Sequence, residues 1–128
     1  MAPFFMKNVF VCACLACLLA AAFGCNRQVG PPAALGVDQI PSEFERVFKS
    51  ATPPAKELAQ QVSTAVGTNG LLGAFSAVQD LCGTSGLSKE QNMLAIRAML
   101  AIKARLQDQQ NQGDESAGVA LRSYQKSR

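Results

Sequence analysis

The sequence predicts an all-α protein: a small orthogonal or up-down bundle of four to five short helices around a central helix at about 88–110, after an export signal and a flexible tether. Three observations predict it. Apolar residues recur at three- and four-residue spacing through several segments, and none of these segments alternates like a half-buried strand. Gly, Pro and Asn-Gly punctuation separates them. Aromatic residues make up only 6% of the 128 residues, with no Trp, so Ala, Leu, Val and Ile must form the core, which favours close helix packing over a β-sandwich. The expected organisation is residues 1–24 as signal, 25–41 as tether and 42–128 as one helical domain, since little more than a hundred residues suit one domain and not two.

The chain opens MAPFFMKNVFVCACLACLLAAAFGC. Lys7 and the amino terminus supply positive charge, residues 9–23 form an apolar run, and Ala20, Ala21, Ala22 and Gly24 crowd its exit, which are the three parts of an export signal. A membrane-spanning helix wants about 20 apolar residues, and this run stops short of that before Asn26 and Arg27. The segment Ala21-Ala22-Phe23-Gly24-Cys25 resembles the lipobox of bacterial lipoproteins, with Gly24 and Cys25 in place. Ala22 and Phe23 stand where that pattern usually has Leu and a small residue. The resemblance implies that Cys25 receives a diacylglycerol and becomes the first residue of the mature chain. Its expected partner is then membrane lipid, and its place the cell envelope, at the outer membrane or its periplasmic face, because Asn26 is not the aspartate associated with inner-membrane retention. Ordinary cleavage after Ala22 or Gly24, giving a secreted or periplasmic soluble protein, is the alternative. Cys12, Cys14 and Cys17 have the look of a metal-ligand cluster, but they lie inside the apolar run that is removed, so no metal is expected there.

Residues 26–41, NRQVGPPAALGVDQIP, are rich in Gly and Pro without a period and read as the tether. Ser42 with Glu45 three residues on predicts a capping box, opening a helix to about Ser50 with Phe44, Val47 and Phe48 on one side. Pro53-Pro54 ends it, and from Pro54 a second helix runs to about Val66, with Ala55, Leu58, Ala59, Val62 and Ala65 inward. Gly67-Thr68-Asn69-Gly70 is a helix–helix turn, Asn-Gly being suited to positive φ. The third helix spans about Leu71 to Leu81, with Leu72, Phe75 and Val78 inward, and closes at Gly83. This hairpin, followed by LSKEQ, is similar in outline to a tetratricopeptide unit, without that repeat's Trp, Gly, Tyr and terminal Pro or any second copy.

The fourth helix carries the clearest start signal, Ser88 with Gln91 as a capping box and Leu87 before it as a staple residue. From Met93 to Ile102 its only charge is Arg97, while Leu94, Ile96, Met99, Leu100 and Ile102 point in several directions, so it is expected to be covered on more than one side. Residues 103–112 turn polar and are expected to project into solvent. Gly113, Asp114 and Glu115 break the helix, and a last one from about Ser116 to Tyr124 offers Val119 and Leu121 to the core.

The chemistry of the chain excludes more than it proposes. Histidine is absent, which removes the commonest general base and metal ligand. A net charge of +3 with bases and acids interspersed argues against nucleic acid. Glu43, Glu45, Glu57 and Glu90 sit near helix starts, where they favour the local dipole, and no phosphate-cradling Gly loop exists. No enzyme and no cofactor is therefore expected. Cys82, the one thiol after Cys25, is expected to be buried near a helix end. Arg97 is the one candidate interaction residue: either it sits at a helix seam paired with Asp80 or a carbonyl, or it contacts a ligand or partner. The whole is similar to the small helical lipoproteins of bacteria. The expected role is an anchored protein-interaction or structural module, with a protein partner or second copy covering any apolar face of the fourth helix left open. A cell-wall-associated lipoprotein is a further alternative, because SYQKSR resembles the Lys-ended tail of the murein-linked lipoprotein of enteric bacteria, although Lys126 is not terminal here.

Overall fold

The structure, a computed structural model, describes residues 34–127. The expected signal, with Cys12, Cys14 and Cys17, and Cys25 lie outside them, as does Arg128. A 3₁₀ turn at Val37–Gln39 is followed by five helices, α1 (Ile40–Phe48), α2 (Pro53–Gly67), α3 (Leu71–Cys82), α4 (Lys89–Asn111) and α5 (Glu115–Lys126), with no strand among the described residues. This is the small all-α bundle that the apolar periodicity predicts. Neighbours in sequence are neighbours in space, and α1 returns to pack on α4, so α1 to α4 close a ring to which α5 adds along α4. Of the hairpin arms, α3 is the one that packs along α4, which therefore has α1, α3, α5 and the 3₁₀ turn as neighbours.

The domain begins earlier than the expected boundary at Ser42. Leu35 and Ile40 are buried, and the turn between them is fastened by Gln39 N–H donating to the Gly36 carbonyl and Gly36 N–H to Gln39 Oε1, each at 3.0 Å. Helix α1 accordingly starts a half-turn before Ser42, with Pro41 in its first turn, where a missing N–H costs no intrahelical bond. Ser42 is thus not a cap: its hydroxyl donates to the Gln39 carbonyl at 3.0 Å. Ile40, Phe44 and Phe48, spaced by four, enter the core on one face, the two rings 5.1 Å apart and tilted by 54°.

Helix α2 buries Ala55, Ala59 and Val62, with Leu58 and Ala65 half-buried beside them, as the period predicts. It ends in a Schellman motif. Asn69 takes φ 59°, Gly70 N–H donates to the Ala65 carbonyl at 2.7 Å and Asn69 N–H to the Val66 carbonyl at 3.1 Å, so two orphan carbonyls are satisfied and the chain reverses into α3. The positive φ belongs to Asn69, one of the few side chains that tolerate it, and not to Gly70.

Helix α3 buries Leu71, Ala74, Phe75, Ala77, Val78 and Leu81. Leu72, expected inward, is 44% exposed, because its neighbour Leu71 takes the position in phase with Ala74, Phe75 and Val78. Cys82 is half-buried, less than expected, and desolvation raises its thiol pKa.

The start of α4 is as the sequence predicts. Ser88 Oγ accepts from Gln91 N–H at 3.1 Å, and Gln91 Oε1 accepts from Ser88 N–H at 2.9 Å. Gln91 is itself buried, and its amide also donates to the Val47 carbonyl at 3.4 Å, tying the cap of α4 to the end of α1. Leu87 packs against the core, but its staple position on α4 is Asn92, so the apolar pair is absent there. The distal half of α4 does not project into solvent. Leu106 is 0% exposed, one helical turn after buried Ile102, because α5 packs along this part of α4.

A second Schellman motif reverses the chain at Gly113, φ 99°, with Asp114 N–H donating to the Gln109 carbonyl at 2.9 Å and Gly113 N–H to the Gln110 carbonyl at 3.0 Å. Asp114 then caps α5, its carboxylate accepting from Ala117 N–H at 3.2 Å. Helix α5 turns Ala117, Gly118 and Leu121 inward, while Val119, expected in the core, is 55% exposed. A Cβ at 118 would stand 3.0 Å from Gln110 Nε2 and 3.2 Å from an Arg122 guanidinium nitrogen, so both side chains would have to give way slightly. At the far end Tyr124 meets Phe75 edge-on at 5.5 Å, donates to Met99 Sδ at 3.8 Å, and lies under Lys103 Nζ at 5.6 Å.

Candidate functional site

Helix α4 carries the surface with the most unusual chemistry. Its buried stripe is Gln91, Leu94, Ala95, Ala98, Ile102 and Leu106. On the opposite side Lys89, Met93, Arg97, Leu100 and Ala104 follow one another at intervals of three or four, with Ile96 beside them, so they form one strip along the outside. Met93 is 42% and Leu100 52% exposed, and Ile96 is partly exposed between them. The all-round apolar character that the sequence shows is thus resolved into one face that builds the core and one that does not.

Arg97 is half-buried on this strip and lines an open groove of about 420 Å³ between α1 and α4, together with Glu43, Arg46, Val47, Lys89, Glu90, Met93 and Leu94. The groove's rim is an ion-pair network. Arg46 donates to Glu43 at 2.9 Å and to Glu90 at 3.3 Å, and these two carboxylates, Glu43 foremost, raise its pKa. All three side chains are well exposed, so the network adds little to stability and mainly fixes where the charges lie. A second groove lies on α2 beside Glu57, Gln60, Gln61, Thr64 and Ala65, and a single helix lines it.

No Ser, Thr, Cys or Tyr lines the groove beside Arg97. Among the described residues no group of three or more His, Cys, Asp or Glu side chains could hold a metal ion, and no helix is long and apolar enough to cross a membrane. Of the residues singled out in the sequence, Arg97, Glu43 and Glu90 line this groove, while Cys82 lies apart from it on α3 and Cys25 lies outside the described residues. The apolar partners of Arg97 on the strip could be found in the sequence, since Met93, Leu100 and Ala104 share its phase. The Arg46 network could not, because α1 and α4 are brought together only by the fold. No known protein family matches the chain, and neither a characterised protein nor a solved structure is similar enough to it to count as a match.

Proposed function

We propose that this chain is a lipid-anchored helical module of the bacterial cell envelope, which acts by contact through the outer strip of α4 and not by catalysis. The observation that carries the contact is the run of half-exposed Met93 and Leu100 flanked by Arg97, on the one helix that organises the bundle. Apolar side chains grouped on a rigid helix and rimmed by charge mark interaction surfaces more often than chance exposure. The anchor rests on the leader and on Cys25, where hydrophobicity ends and polar residues begin. Acyl chains contribute about 0.8 kcal/mol per buried CH₂, so the chains of one lipidated cysteine hold a small domain durably at a bilayer. A protein partner or a second copy is the contact expected from the sequence.

Two measurements test this. Cells fed a labelled fatty acid should label the chain, and Cys25→Ser should abolish the label and release the protein from membranes; label retained in that variant overturns the anchor. A photoreactive residue at position 100 should form adducts in intact cells where one at Glu57 does not, and equal or absent crosslinking overturns the contact. The bulky Phe23 before Gly24 favours the secretory cut as the second reading, in which no label enters at all.

A further inference from the structure

We propose that the occupant of the outer strip of α4 is the anionic surface of the bilayer that holds Cys25, so that the domain lies down on the membrane to which it is tied. This rests on the anchored reading above and names the partner of that site. Three observations point to it.

The first is charge. Residues 34–127 carry nine basic and nine acidic side chains, the other three bases being Lys7, Arg27 and Arg128, so the body has no net charge to spread over α4. Yet between Lys89 and Leu106 there are four cations, Lys89, Arg97, Lys103 and Arg105, against one acid, Glu90, which is already paired with Arg46. Of the other acids, Glu43 is paired with Arg46 at the groove's rim and Asp80 lies on α3, while the rest fall in residues 38–57 and 108–115. A helix face that sets Met93, Ile96 and Leu100 beside Lys89 and Arg97 matches the boundary of headgroups and acyl chains, where cations meet lipid phosphate and apolar side chains dip below it.

The second is reach. Residues 26–34 separate Cys25 from buried Leu35, and extended chain spans at most about 3.3–3.6 Å per residue, so the body cannot leave the bilayer by more than roughly 30 Å. So short a tether keeps the strip at a high effective concentration of headgroups, and a weak surface affinity suffices. The third is area. An α-helix rises about 1.5 Å per residue and is about 10 Å wide, so the strip from Lys89 to Ala104 offers roughly 240 Å². A stable dimer buries about 800 Å² on each partner, and a second copy would also bring Arg97 and Lys89 against a like-charged strip.

The chain contains no Trp, so Leu100→Trp places a single reporter on the strip and Glu57→Trp one on the exposed side of α2. The acylated chain is reconstituted into vesicles of phosphatidylcholine alone or mixed with phosphatidylglycerol, and flotation and emission are read on the same sample. The proposal expects the chain to float with both vesicles. The reporter at 100 should shift to the blue and be quenched by brominated acyl chains in the mixed vesicles only, with the reporter at 57 unchanged. Lys89→Glu should cancel the shift without weakening the fold, since an acid in the first turn suits the helix dipole. With the unacylated Cys25→Ser chain added from outside, that charge reversal should lower binding to mixed vesicles roughly 30-fold, at about 1 kcal/mol for each unit of charge. A chain that floats while the reporter at 100 stays in water overturns the docking alone. So does a shift that grows with protein concentration without vesicles, which marks a second copy, or one that appears only when an envelope protein is added. A chain that carries no acyl group and fails to float overturns the anchored reading, and the docking with it.

Discussion

Leu106 and Leu100 sit on the same helix, six residues apart, and the fold assigns them opposite fates. Leu106 is 0% exposed under α5, and Leu100 is 52% exposed on the outer strip. Replacing Leu106 with Ala removes a fully buried side chain worth about 1.5–3 kcal/mol of transfer free energy and leaves a cavity between two helices that can collapse only in part. The expected cost is about 3–5 kcal/mol. Set against the 5–15 kcal/mol stability typical of a domain, that is a large fraction, and for this size it lowers Tm by more than about 12 °C. Leu100→Ala should change stability by less than about 0.5 kcal/mol. Urea titration followed by far-ultraviolet circular dichroism measures both, with the slope m unchanged between variants. Equal losses for the two, or a loss below about 1 kcal/mol for Leu106→Ala, would mean that the distal half of α4 stands in solvent and that α5 does not pack on it.

Three further outcomes follow from local geometry. Ser88→Ala removes the oxygen that accepts from Gln91 N–H and should cost about 1 kcal/mol in the same titration, with a loss near zero contradicting the cap. Asn69→Ala forces a Cβ-bearing residue without a polar side chain to hold φ 59° and should cost about 1–2 kcal/mol, whereas Asn69→Gly should be neutral or stabilising; the reverse order would reject the Schellman turn. Burial raises the Cys82 pKa, so at neutral pH its thiolate fraction lies below that of a free thiol and iodoacetamide should label it more slowly than the same residue in urea. The sign for stability follows: the contribution tied to the protonated thiol is complete below the unfolded pKa and is lost as pH rises through the folded one. Labelling as fast in the folded as in the unfolded chain would contradict the burial.

What the sequence made legible was local, and what it hid was long-range. The Ser88–Gln91 cap, the Asn69 turn and the buried face of α2 depend on residues within one or two turns of one another, and periodicity and cap chemistry report such contacts directly. Leu35 and Ile40 stand among Pro and Gly, in a composition that reads as linker, and only the packing of α1 and the 3₁₀ turn against α4 makes them core. Leu72 and Val119 each lie next to another residue in a workable phase, Leu71 and Gly118, so the pattern leaves two rotations of the helix open and the neighbour decides. Leu106 continues the phase of Ala95, Ala98 and Ile102, a signal masked by the polar residues around it. At the candidate site, Arg97 stood out as a lone charge in an apolar run, while its neighbours Glu43 and Arg46 come from α1, 50 or more residues away in the chain, and carry no local mark.

The most direct test of the anchored domain is the mass of the amino-terminal proteolytic peptide of the native protein. The account predicts a chain that starts at Cys25 and carries the mass of a diacylglyceryl group on its sulfur. An unmodified amino terminus at Phe23 or Cys25, or a peptide that still holds residues before them, would contradict it.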